Sequence, residues 1–493
     1  MRRAMASGAA WMILFRLCDR SIGFVSTALL ARLLLPADFG LVAMAMSIIA
    51  LIDMATSFSF EIALIQKADP SRDYYDTAWT LNIAGAVAGA CLTVGLSAVT
   101  ASFYEDPRLV QVMLAIGAGW LISGFENVGT VNFRRRMDFA SEFRFLAWKR
   151  LITFLVTIAA ALTMKSYWAL VIGMVTGRIV GIALSFAMEP FRPRFSLVRY
   201  KELLSFTGWL QINKLVGAIL GKAPSFFVGR MFGAQALGAY TVGAEIGQLA
   251  HTELVAPINR AMFAGYSRMA IEPASLAKMC VEATAAVLLV VLPASVGLAV
   301  LAEPMVRVLL GEQWHAAVPI IQILAFAGAA AALTSNNVTA CLAMGQPHLS
   351  TVVATARLLV LVAAAWWLTK GQGIAAVAYA ELIAAVAGFV VSLPILLVAM
   401  KIRAIDLLGA LWRPLIGSCA MGAAIQALVF ALYDDGSFGA ALLALALGVP
   451  IGALLYAACV GVLWQWFGRR DSVEAQVARR IRALVSAAFP GKS

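Results

Sequence analysis

Apolar windows of about 20 residues, enough to cross a bilayer, follow one another along nearly the whole of this chain. Only short charge clusters and scattered Pro and Gly separate them. That succession restricts the fold severely. A segment inside hydrocarbon must satisfy its own backbone hydrogen bonds, as a helix does, and these segments lack the short alternation of a barrel strand. With 62% of 493 residues hydrophobic and 13% charged, there is too little polar surface to cover a soluble protein of this size. The expected fold is an all-α polytopic membrane protein with about fourteen transmembrane helices, running from 11–34 to 439–467. No stretch of globular composition is long enough to add a soluble domain. The basic N-terminus leads into a first span that carries Arg16, Asp19 and Arg20, which a cleavable signal core would not hold, so it is expected to remain.

The formal charge of +12 reflects orientation and not nucleic-acid binding. If the N-terminus is cytoplasmic, that side collects Arg2, Arg3, Lys67, Arg72, the Arg134–Arg136 run, Arg144, Arg192, Arg194, Arg199 and Lys201. It goes on to collect Arg268, Lys278, Lys401, Arg403, Arg413 and the six Lys and Arg residues of the tail. Arg108, Lys165, Arg230, Arg307 and Lys370 fall on the other side, twenty-three against five. An even number of spans with both termini cytoplasmic is therefore expected.

The segment ARLLLPADFGLV at 31–42 returns in outline as GRMFGAQALGAYTV at 229–242. Arg32 maps to Arg230 and Gly40 to Gly238, both displaced by 198, and the same displacement carries Arg16 onto Lys214. Repeated halves in a membrane protein commonly frame a substrate site. The divisions expected are a six-helix N-terminal half at 1–200, a six-helix C-terminal half at 201–405, two extra helices at 406–467 and a cytoplasmic amphipathic tail at 468–493. The Pro-interrupted basic stretch FRPRFSLVRYKE links the halves.

An ionisable group at the centre of a span costs about 2.5–3.5 kcal/mol on insertion scales and usually faces a cavity or a partner. Arg16 and Arg20 lie four apart on the first helix, and Lys214 and Lys222 eight apart on the seventh, so each pair shares a face. A cavity between them would be basic and would suit an anion. A diphosphate joined to a lipid and a sugar matches paired Lys and Arg, which form charge-assisted bonds to phosphate oxygens. Against this, Arg20 could pair with Asp19 or Asp53, and Lys222 could extend to an interface. Glu245 and Glu253, eight apart on the eighth helix, either balance the lysines or couple transport to an ion. Arg178, Arg260 and Arg357 are better read as structural. The six cysteines and three histidines have no metal-ligand spacing, and no phosphate-binding GxxxxGK[ST] loop is present, so neither a metal nor a cofactor is expected.

The stretches ARLLLPADFGLVAMA at 31–45, ALIQKADPSRDYYDTAWTLN at 63–82 and FFVGRMFGAQALGAYTVG at 226–243 resemble the Wzx-type polysaccharide flippases. These form the polysaccharide transporter branch of the multidrug/oligosaccharidyl-lipid/polysaccharide exporter superfamily. The resemblance implies two six-helix bundles about a pseudo-twofold along the membrane normal, a cationic central cavity and two added helices. It implies transport of an undecaprenyl-diphosphate-linked oligosaccharide across the bacterial inner membrane by alternating access, for exopolysaccharide, capsule or O-antigen (lipopolysaccharide) assembly. Many relatives carry a carboxylate where this chain has Pro224, so no role for an acid transfers there.

The expected activity is that of a transporter and not an enzyme, with Arg16, Arg20, Lys214 and Lys222 as substrate-binding residues. Expected partners are the lipid-linked oligosaccharide, membrane lipids, a polysaccharide polymerase and chain-length or export machinery. The alternatives are a multidrug cation exporter coupled to Na⁺ or H⁺, whose cavity should be acidic or neutral, and a lipid II flippase.

Overall fold

The computed structural model describes residues 2–58, 60–67, 69–269, 273–369, 373–433 and 437–467. The expected tail at 468–493 lies outside the described residues, as do the side chains of 205–216. Among the described residues the regular structure is helical throughout. The chain divides into two compact units, 1–241 and 242–493.

The first unit contains α1 (Arg2–Leu33), α2 (Pro36–Thr56), α3 (Phe60–Gln66), α4 (Arg72–Tyr104), α5 (Arg108–Ser123), α6 (Val131–Arg135), α7 (Phe139–Met164), α8 (Trp168–Met188) and most of α9 (Tyr200–Gly247). The second contains α10 (Ala256–Met269), α11 (Pro273–Val300), α12 (Ala302–Leu309), α13 (Val318–Ala343), α14 (Pro347–Leu368), α15 (Ala375–Met400), α16 (Ala404–Leu432) and α17 (Phe438–Phe467). Among the described residues ten helices are long and apolar enough to cross a membrane, or eleven if the bent pair α5 and α6 counts as one span. The expected total of fourteen is not confirmed: the expected spans 11–34, 203–229 and 237–263, which carry Arg16, Lys214 and Glu245 among the candidate charges, are helical but include side chains outside the described residues.

The repeated stretch has a definite role. Pro36 occupies the first turn of α2, and the Asp38 carboxylate accepts from the Leu35 and Tyr167 backbone N–H groups at 3.0 and 2.9 Å, so LPADFG starts a helix sharply. Displaced by 198, Gly233 interrupts α9 at φ +79°, a conformation that favours glycine, and the helix restarts at 234. A methyl carbon built on Gly40 would lie 1.6 Å from the Ala234 carbonyl oxygen, and one on Gly238 would lie 1.7 Å from that of Pro36. Since 234 − 36 and 238 − 40 both equal 198, the two copies make the same contact on each other. Reciprocal contacts of this kind are the mark of a local twofold.

Small residues also set the approach of α7 to α8. Gly173, Gly177 and Gly181, spaced by four, face Thr157, Thr153 and Lys149 in turn, and a methyl carbon at Gly173 would meet the Thr157 hydroxyl at 2.0 Å. With no water to expel between helices in lipid, close backbone packing of this kind supplies the association. Leu30 of α1 and Leu34 just after it close over Ala161 and Ala169 at one end of the pair. In the second unit, α16 packs on α11 and α17 on α12, around a core of Leu301, Met421, Ile425, Val429 and Ala444. The C-terminal helix pair is thus part of that unit's core.

The basic stretch after α8 is clamped along one side of α4. Asp76 accepts from Arg194 N–H at 2.9 Å, Thr80 from Ser196 N–H at 2.9 Å and Thr77 from Arg199 N–H at 3.3 Å. Asn127 donates to the Phe191 carbonyl at 2.7 Å, while Trp79 and Tyr75 pack against Phe195 and Phe191. The Tyr74 hydroxyl accepts from Lys67 and donates to Glu202, which raises the pKa of the lysine and lowers that of the carboxyl.

Two outcomes follow from this packing. Gly40→Ala and Gly238→Ala should each lower stability by about 1–3 kcal/mol, since backbone has to move to admit the methyl group. Gly95→Ala, with nothing within 4 Å of the new carbon, should be neutral or stabilising in a detergent melting assay. Asp76→Ala should cost about 1–3 kcal/mol by stranding the Arg194 N–H, and limited proteolysis should then cut between Arg192 and Arg199 faster than in the unaltered protein.

Candidate functional site

On α1, Trp11 and Phe15 pack on Phe143 of α7, and Asp19 reaches Arg150 of α7 at 3.2 Å. Residues 11, 15 and 19 make up the face turned toward α7. Arg16 and Arg20 lie one residue further round, about 100° away, with Arg16 half-buried and Arg20 exposed. Asp19 is therefore engaged by Arg150, while Asp53 accepts the Ser57 hydroxyl at 2.5 Å. Arg16 has no ion pair among the described residues.

Lys222 is half-buried on α9, also without an ion pair among the described residues, two positions before Pro224. The side chain of Lys214 lies outside the described residues. Its backbone belongs to the helical run of α9, on the segment before the Gly233 break, just as Arg16 lies on the helix before Leu35.

Two further charges of the first unit are engaged in ways that sequence spacing did not reveal. Glu126, at the end of the α5 break, pairs with Lys149 at 3.1 Å, and Gly181 provides the room. The Arg178 guanidinium lies 5.9 Å from the centre of the Trp120 ring, in cation–π range. The only sequence signal for these partners was the coincidence of acids and bases within apolar segments. Pairing across helices 23 residues or more apart depends on which faces meet.

In the second unit the candidate acids occupy a distorted stretch. After Gly247 the chain forms a π-helical turn, Ala250–Val255, that carries Glu253, followed by Pro257. Proline offers no N–H to the carbonyl four residues earlier, so the helical register changes there. Glu245 is exposed and Glu253 half-buried. Beside them Gln248 donates to Glu381 at 2.9 Å, and Arg357 lies flat over Gly388, where a methyl carbon would meet its Cδ at 2.6 Å. Helix irregularities of this type concentrate at functional positions. The described residues contain no cluster of three or more His, Cys, Asp or Glu side chains suited to a metal.

The first unit thus holds half-buried cations and a helix interrupted at Gly233, and the second a π-turn beside Glu253.

The chain is 25% identical over 458 residues to the teichuronic acid biosynthesis protein TuaB of Bacillus subtilis (strain 168), covering 92% of this chain and 94% of that one. It is 22% identical over 336 residues to the lipopolysaccharide biosynthesis protein WzxC of Escherichia coli (strain K12), covering 66% and 68% respectively. Among solved structures, the lipid II flippase MurJ in an inward closed conformation superposes with a TM-score of 0.72 at 14% identity, over 93% of this chain and all of that one. At that identity the likeness concerns the fold. The model of a family described as polysaccharide biosynthesis protein matches residues 29–319, from the end of α1 into α13 and across both copies of the repeat. This multi-pass membrane protein therefore belongs to the polysaccharide biosynthesis protein family, and its relatives include Wzx-type proteins.

Proposed function

We propose that the protein is a flippase that carries an undecaprenyl-diphosphate-linked oligosaccharide from the inner to the outer leaflet of the bacterial inner membrane. The product serves exopolysaccharide, capsule or O-antigen assembly, and the chain acts as a transporter without catalysing a covalent step. The observation that carries this reading is Arg16: Asp19, its near neighbour, is taken by Arg150, leaving a half-buried cation for an anionic ligand. Membership of a polysaccharide biosynthesis family supplies the substrate class.

In this reading Arg16 and Lys214, helped by Arg20 and Lys222, hold the diphosphate, the saccharide occupies a hydrated cavity, and the lipid tail remains between helices. Both termini and the clamped basic stretch face the cytoplasm, in line with the distribution of Lys and Arg. Residues 1–200 and 201–405 act as two six-helix bundles, with the helices of 406–467 attached to the second. Glu245 and Glu253 are the candidates for ion coupling, and the polymerase and chain-length or export machinery receive the product.

The direct test is the distribution of lipid-linked oligosaccharide between leaflets in a deletion strain complemented by the wild-type protein, Arg16→Ala or Lys214→Ala at equal expression. Losing a charge-assisted bond worth about 1.5–3 kcal/mol should reduce transport by roughly 10- to 100-fold. Accumulation in the cytoplasmic leaflet is expected in the deletion and both variants. Accumulation in the deletion alone would remove these residues from the site, and none in any strain would refute the flippase reading.

A further inference from the structure

A cavity of about 280 Å³ opens in the first unit where α5 stops at Ser123 and the chain resumes in α6 at an angle of 65°. Interrupted helices in transporters commonly form binding sites. Thr56, Glu61, Asn82, Trp120, Ser123 and Glu126 contribute to the wall.

Four side chains of that wall present acceptors. The hydroxyl protons of Thr56 and Ser123 are directed into their own helices, to the Ile52 and Trp120 carbonyls at 2.9 and 2.7 Å. Their oxygens are left as acceptors. Glu61 and Glu126 are acceptors too, and each has a cation beside it: Lys149 at 3.1 Å from Glu126, and Arg134 at 3.2 Å from Glu61, an arginine shared with Glu142 at 2.6 Å. The local charge is thereby reduced. A metal ion would meet two resident cations, and an anion would meet two carboxylates and acceptor oxygens. What complements such a wall is a neutral ligand rich in hydroxyl donors. The volume lies at the low end of the roughly 300–1,000 Å³ of small-molecule pockets, which suits one ring and not a chain of them.

We propose that this cavity is a saccharide subsite that holds one sugar residue of the lipid-linked oligosaccharide by its hydroxyl groups. The proposal rests on the flippase reading. It assigns selection of the sugar to the first unit's helix break and leaves the diphosphate to the cationic helices. Asn82, half-buried and the carboxamide of the wall, offers both donor and acceptor and reads the orientation of the ring.

The test uses full-length protein in nanodiscs and two probes: undecaprenyl diphosphate alone, and the lipid-linked oligosaccharide extracted from the deletion strain. Thr56→Val removes one acceptor at constant shape, and Asn82→Leu replaces the carboxamide by an apolar group of similar size. The expected result is Kd raised about three- to tenfold for the saccharide-bearing lipid by each variant. Kd for undecaprenyl diphosphate should stay within about twofold of wild type, which also reports that each variant is folded. Equal weakening for both probes, or no change for either, would overturn the subsite. A wild type that binds both lipids equally well would overturn it too, while one that binds neither would refute the flippase reading on which it rests. Weakening of the saccharide-bearing lipid by added NaCl, with KCl at equal ionic strength lacking the effect, would identify the cavity as a cation site instead.

Discussion

The contact between Gly40 and Gly238 is the constraint on which the first unit depends. Each glycine admits the carbonyl oxygen of the residue four positions before its counterpart, so neither position can carry a side chain while the other keeps its place. The contact fixes α2 against the restarted portion of α9. It also explains why two loosely similar stretches keep their glycines in register: at a crossing this close, the backbone itself forms the interface and composition has little freedom. Around it the flanking residues serve different ends. Arg230 pairs with Glu105 at 3.0 Å, while Gly229 accommodates the Tyr104 ring, whose hydroxyl is bonded to Ser47 at 3.0 Å.

Much of this architecture was legible in the chain because the signals were local or repetitive. Apolar windows gave helices, and the displacement of 198 singled out Gly40 and Gly238, although the helix expected from 40 starts at Pro36 and the contact between the two glycines was not foreseen. What escaped the sequence is pairwise and distant. The spacing of Arg16 and Arg20 was plain, yet that Asp19 would turn to Arg150 depended on Trp11 and Phe15 fixing the rotation of α1 against Phe143. The count of spans was the least secure part, and for a physical reason. Charged side chains lower the hydropathy of the segment that bears them, as Arg16, Asp19 and Arg20 do on α1.

The two units handle internal charge differently. In the first, several acids inside helices meet bases of other helices, as Asp19 with Arg150 and Glu126 with Lys149, which lowers the cost of keeping them out of water. In the second, Gln248 and Glu381 bond beside a π-turn and Arg357 lies over a glycine. Matched pairs favour a rigid frame, and a helix with a shifted register is easier to deform.

The clamp on the basic stretch has a consequence for how the chain can be handled. Residues 190–199 follow α8 without helical structure, and a stretch of that kind would ordinarily be slack. Here Asp76, Thr77 and Thr80 bind three of its N–H groups in succession, so it serves as a structural rib along α4. Expressed as two separate polypeptides divided near this stretch, the earlier piece would need the rib on its own C-terminus, and the natural place to divide the chain falls after Arg199.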